Sequence, residues 1–175
     1  MKCWGRNSEG ELGDGTATSR VTPVRARGFG QIDFDGDDVA EPAVYRPSAG
    51  TWFSLDSSNG NQSYAYRGWG DDAQGDVPAP GDYDGDGIID PAVYRPATGT
   101  WFILKSSTND TDWMWDGWGL PGDQPMPRDY DGDGKADLAV YRPSTGEWYV
   151  KPSSGAPQWR ILFGEPGDVP LQGIR

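Results

Sequence analysis

Apolar residues in this chain come in short runs, each closed within a few positions by proline, glycine or small polar residues. Ala-Val-Tyr-Arg from Ala43 stops at Pro47, a Ser-Ala-Gly turn follows, and Trp-Phe-Ser-Leu from Trp52 resumes the apolar pattern. Two β-prone runs joined by a tight turn predict a hairpin. A polar loop then leads to a third, aromatic-rich stretch at residues 63–69. Gly75-Asp76-Val77-Pro78 offers a short fourth strand that its proline would keep at a sheet edge. No run reaches 18 apolar residues, so no membrane span and no membrane insertion are expected.

The same order of elements occurs twice more. DFDGDDVAEPAVYRPSAGTWFSL from Asp33 returns as DYDGDGIIDPAVYRPATGTWFIL from Asp82 and as DYDGDGKADLAVYRPSTGEWYVK from Asp129, 49 and then 47 residues further on. Third aromatic stretches follow at residues 112–118 and 158–163, and Gly-Asp-x-Pro recurs with Pro125 and Pro170. The chain divides into an N-terminal arm (1–32) and three repeats (33–81, 82–128 and 129–175). Three or four strands in such a length is the size of a propeller blade. The expected fold is therefore all-β: three propeller-blade-like β-meander repeats. One repeat cannot cover its own faces, so Trp52, Trp101, Trp148, Tyr45, Tyr94 and Tyr141 are expected in the core between repeats.

Composition narrows the chemistry. With 26 Gly, 15 Pro and 35% hydrophobic residues, long helices are disfavoured. Having no His and one Cys, the chain has no Ser-His-Asp or Cys-His pair, no imidazole or cysteine zinc site and no internal disulfide framework. The net charge of -12 disfavours nucleic acid and favours cations. The acids Glu165, Asp168, Asp71 and Asp72 lie in polar Gly-rich loops and read as solvated, so no catalytic residue is assigned and an enzyme is not expected.

Much of the acidity sits in one pattern. Each repeat opens with D-x-D-x-D-[G/D]-x-x-[D/E], which places carboxylates at positions 1, 3, 5 and 9. A hard divalent cation such as Ca²⁺ takes six to eight oxygens at about 2.3–2.6 Å, and a tight loop with this spacing, plus a backbone carbonyl at position 7, wraps them around one point. The candidate ligand sets are Asp33, Asp35, Asp37, Glu41 and the Val39 carbonyl; Asp82, Asp84, Asp86, Asp90 and the Ile88 carbonyl; and Asp129, Asp131, Asp133, Asp137 and the Lys135 carbonyl. Glycine at position 6 permits a positive φ. The first loop departs twice, with Asp38 at position 6 and the longer Glu41 at position 9. None has the bidentate Glu at position 12 of an EF-hand. Uncompensated, four clustered carboxylates would repel one another, so about three Ca²⁺ per chain are expected, moving the net charge from -12 to -6.

Through the D-x-D-G-D-G-x-x-D-x-A-V-Y-R-P block, residues 33–175 resemble the FG-GAP/VCBS repeat family. That resemblance implies an extracellular or cell-surface, calcium-stabilised propeller or propeller-like scaffold used for adhesion, carbohydrate contact or assembly. Residues 3–27, CWGRNSEGELGDGTATSRVTPVRAR, resemble one half-repeat of the regulator of chromosome condensation family. A half-repeat is expected to donate a strand to a neighbouring blade.

Propellers close with four to eight blades, more than the three here. Gly167-Asp168-Val169-Pro170-Leu171 matches segments that elsewhere run into a carboxylate loop, whereas Phe29-Gly30-Gln31-Ile32 before the first loop does not. The expected partner is another copy of the chain, joined head to tail in a ring or a filament. Carbohydrate is the alternative partner, stacked on Trp113, Trp115, Trp118 and Trp159. Asn61-Gln62-Ser63 and Asn109-Asp110-Thr111 are candidate N-glycosylation sites in the same loop of two repeats.

Overall fold

The structure is a computed structural model and describes residues 2–6, 8, 18–25 and 32–171. It is all-β: among the described residues there are strands and short 3-10 turns, with no α-helix. Among the described residues no helix is long and apolar enough to cross a membrane. In the N-terminal arm, β1 (Lys2–Gly5) pairs antiparallel with β2 (Arg20–Arg25) in a two-stranded sheet of their own. Residues 7 and 9–17 of the half-repeat, residues 26–31 and residues 172–175 lie outside the described residues.

Each repeat folds into an open antiparallel sheet. The first contains β3 (Ala43–Arg46), β4 (Thr51–Leu55) and β5 (Tyr64–Gly68) in that order. The second runs β6 (Val77–Pro78), β7 (Ala92–Arg95), β8 (Thr100–Leu104) and β9 (Trp113–Gly117). The third runs β10 (Gln124–Pro125), β11 (Leu138–Arg142), β12 (Glu147–Lys151) and β13 (Trp159–Leu162). Sheet and sequence repeat are therefore offset. The Gly-Asp-x-Pro strand does not complete its own repeat: β6 pairs with β7 (Pro78 opposite Val93) and β10 with β11 (Pro125 opposite Val140). The edge on which proline is tolerated is the outer edge of the next sheet.

Each hairpin turn relies on a glycine. Gly50, Gly99 and Gly146 have φ of +54°, +67° and +72°, and a Cβ there would fall onto the carbonyl oxygen of Gly70, Gly119 or Gly164. The close approach lets the turn carbonyls accept from the end of the third strand, Trp69 N–H at 2.7 Å and Trp118 N–H at 2.9 Å. One indole per repeat closes the same gap: Trp52, Trp101 and Trp148 donate Nε1–H to the carbonyls of Trp69, Trp118 and Phe163 at 2.7–3.0 Å.

Packing between neighbouring sheets forms the core. Val93 of the second sheet inserts against Phe34 and Trp52 of the first repeat, and Val140 of the third joins Tyr83 and Trp101 of the second. Ile103, Val140 and Val150 are fully buried, each contributing about 1.5–3 kcal/mol by removal from water. Trp52, Trp101, Tyr94 and Tyr141 are buried as expected, whereas Tyr45 and Trp148, in the two outer repeats, are only half-buried.

Candidate metal centres

The three carboxylate loops adopt one conformation. The position-1 carboxylates of Asp33, Asp82 and Asp129 accept from the N–H of position 4 at 2.6–2.7 Å and of position 6 at 2.8–3.0 Å. Asp37, Asp86 and Asp133 accept from the N–H of Val39, Ile88 and Lys135, each at 2.8 Å. Position 9 turns back to cap the N–H of position 2: Glu41 to Phe34, Asp90 to Tyr83, Asp137 to Tyr130. Backbone amides thus fold each loop around its own acids, turning carboxylates inward.

Carboxylate oxygens converge within 4.8 Å of one another in three groups able to hold a metal ion. They are Asp33, Asp35, Asp37 and Glu41; Asp82, Asp84 and Asp86; and Asp129, Asp131 and Asp137. Asp90 and Asp133 fall outside their groups. The first loop, which departs most from the pattern, gathers all four of its side chains, Glu41 included. Asp38 takes the left-handed conformation at φ +65°, where Gly87 and Gly134 stand at +90°. Relieving that conformation predicts that Asp38→Gly stabilises the protein by about 0.5–1 kcal/mol, seen as a rise of about 2 °C in melting temperature.

A serine pair in the loop after the second strand meets these acids. Ser57 Oγ donates to Glu41 (3.1 Å), and Ser106 Oγ donates to Asp90 (2.8 Å) and approaches both Asp86 oxygens. Ser153 offers its N–H to Asp137 and its Oγ to Asp133, both at 2.7 Å. The following serines, Ser58, Ser107 and Ser154, contact Asp35, Asp84 and Asp131. Both carboxylates outside the groups, Asp90 and Asp133, accept from such a hydroxyl, as do Asp84, Asp86 and Asp131 inside them. Sequence reasoning missed them, although each pair begins 24 residues after the first Asp of its loop.

Burial raises the carboxyl pKa of Asp33, Glu41, Asp90 and Asp137, and pushes Asp82 up to about 6, with the charges of Asp86 and Asp90 adding to the shift. Folding without metal therefore favours a proton on Asp82 that the unfolded chain, near 3.8, releases. The stability from this proton is present below about pH 4 and lost as pH rises through 6. In EDTA, the melting temperature should be higher at pH 5 than at pH 7.5. In excess Ca²⁺ the order should reverse, because cation and proton compete for the same oxygens. Melts at the two pH values, with EDTA and with Ca²⁺, check both signs.

The other candidate residues separate by exposure. Trp113 and Trp115 are 50% and 65% exposed on one face of β9, and Trp159 is 40% exposed with its ring edge-on to Tyr130. Trp118 is half-buried and donates Nε1–H to the Tyr149 carbonyl at 3.3 Å, a packing role. Asn61 and Asn109 are exposed at φ +64° and +52°, a backbone conformation asparagine tolerates well. They occupy adjacent rather than equivalent places, since Gly60 and Asn109 cap matching 3-10 turns.

Consecutive loops are joined through the backbone. The Asp33 carbonyl accepts from Ile89 N–H at 2.7 Å, and the Asp82 carbonyl from Ala136 N–H at 2.6 Å. Comparison with protein-family models, curated proteins and solved structures finds no match to the chain.

Proposed function

We propose that the chain is an extracellular, calcium-stabilised β-repeat scaffold of the FG-GAP/VCBS type, with blade-like repeats and a structural or adhesive role, which assembles head to tail with its own copies. The observation that carries this reading is the threefold recurrence of an acidic loop folded by its own backbone and met by a serine pair. Oxygen ligands alone, in a chain without His, suit a hard cation. Calorimetric titration of the metal-free protein should find about three Ca²⁺ per chain, and no heat of binding would reject the reading.

Exposed aromatics favour a second reading, carbohydrate binding. Tyr64 and Tyr66 on β5 and Trp113 and Trp115 on β9 point out on matching strands, as stacking platforms for sugar rings would. Glycan-array binding that disappears in Trp115→Ala, with melting temperature unchanged, would support this reading; an array without signal would remove it.

A further inference from the structure

The contacts between consecutive repeats form a repeating set, and among the described residues the outer ends of the first and third repeats each carry one half of that set without its counterpart. In the inner contacts an arginine of the β7 or β11 hairpin meets the aspartate of the preceding Gly-Asp-x-Pro segment side-on. Arg95 Nε and Nη2 donate to Asp76 at 2.8 and 3.0 Å, and Arg142 Nε and Nη2 donate to Asp123 at 2.8 and 2.9 Å. Each guanidinium also lies over a ring, Phe102 at 4.7 Å or Tyr149 at 4.2 Å. Arg46 on β3 is stacked in the same way on Phe53, at 4.5 Å, and among the described residues no carboxylate pairs with it. Asp168 accepts from Glu165 N–H, as Asp123 does from Leu120, and no arginine among the described residues pairs with it.

The backbone and the apolar side chains repeat this one-sidedness. Ala79 and Met126 follow β6 and β10, donate to the carbonyls of Ala92 and Ala139, and are 2% and 4% exposed; the matching Leu171 is 84% exposed. Val93 and Val140 are 1% and 0% exposed, but Val44 is 61% exposed, and among the described residues β3 is paired only with β4. Trp148, which corresponds to the buried Trp101, is half-covered on the opposite outer face. Where Asp116 and Lys151 form an ion pair between the second and third sheets, the outer faces carry Ile161 and Leu55 at the corresponding places, an apolar match for a charged one.

We infer that a second copy of this chain supplies the missing half: residues 168–171 of one chain run as an added strand along β3 of the next, with Asp168 clasping Arg46 and Val44 seated against Trp148. This rests on the repeat-scaffold reading and specifies its interface. By the register of β6 on β7, Pro170 lies opposite Val44 and Val169 opposite Tyr45. A contact joining two different faces is heterologous, so successive copies close a ring or extend a filament, and strand addition supplies its hydrogen bonds.

Charge reversal tests the pairing. In Ca²⁺, sedimentation velocity of the wild-type chain should show species larger than a monomer. Arg46→Asp and Asp168→Arg should each sediment as monomers, because each places like charges together. Mixed in equal amounts, the two variants should regain the wild-type distribution, since every contact in an alternating assembly is then oppositely charged. Loss of folding could not produce that recovery. A monomeric wild type, unaffected single variants, or a mixture that stays monomeric would each overturn the inference. A Ca²⁺-dependent melting temperature in the same samples keeps the scaffold reading intact if assembly fails, and its absence in an assembling protein rejects calcium alone.

Discussion

Removing calcium should lower the melting temperature by on the order of 20 °C. A ligand that binds only the folded state stabilises it by about 2.7 kcal/mol when present at a hundred times its dissociation constant. Three such sites together contribute about 8 kcal/mol, and a domain of this size shifts by about 2–4 °C per kcal/mol. The size of the effect follows from where the loops sit. Asp33, Glu41, Asp90 and Asp137 are buried at the feet of the strands, so without a cation their repulsion acts on the core itself. Differential scanning calorimetry in EDTA and in Ca²⁺ measures it, and coincident transitions would show that the acidic loops hold no calcium.

The second large effect is expected at Arg95. Asp76 has 1% of its side chain exposed, and Arg95 compensates its charge with two hydrogen bonds. Arg95→Leu leaves a buried carboxylate without its cation, a change that costs about 3–5 kcal/mol in comparable pairs. The variant should melt about 10 °C lower. Asp76→Leu combined with Arg95→Leu should recover most of the loss, because removing both charges also removes the desolvation cost. If the single and double variants melt alike, the pair does not join the first repeat to the second as described.

Local chemistry made the strands legible. Short β-prone runs such as AVYR and TWFIL, the proline- and glycine-containing turn between them and threefold recurrence located β3 to β5, β7 to β9 and β11 to β13 without reference to tertiary structure. The acidic loops were legible for the same reason, since a nine-residue spacing closes through its own backbone. Three features were not. Which sheet receives Val77 and Pro78 depends on how one repeat docks on the next, and Asp76 lies 19 residues from Arg95, so neither shows in a single repeat. The serine pairs were hidden by unlike neighbours, Asp56 in the first repeat, Lys105 in the second and Pro152 in the third.

The link from the Asp33 carbonyl to Ile89 and from the Asp82 carbonyl to Ala136 has a consequence for unfolding. Each loop is fastened to the next, so the energetics of the repeats approach a nearest-neighbour chain in which an inner repeat is held from both sides and an outer one from a single side. The second sheet, with Trp101, Tyr94 and Ile103 all at 0% exposure, should exchange its amides most slowly, and melting should proceed inward from the two ends. A copy docked at either end would turn a fraying repeat into an inner one, so the lifetime of each terminal sheet becomes a function of protein concentration.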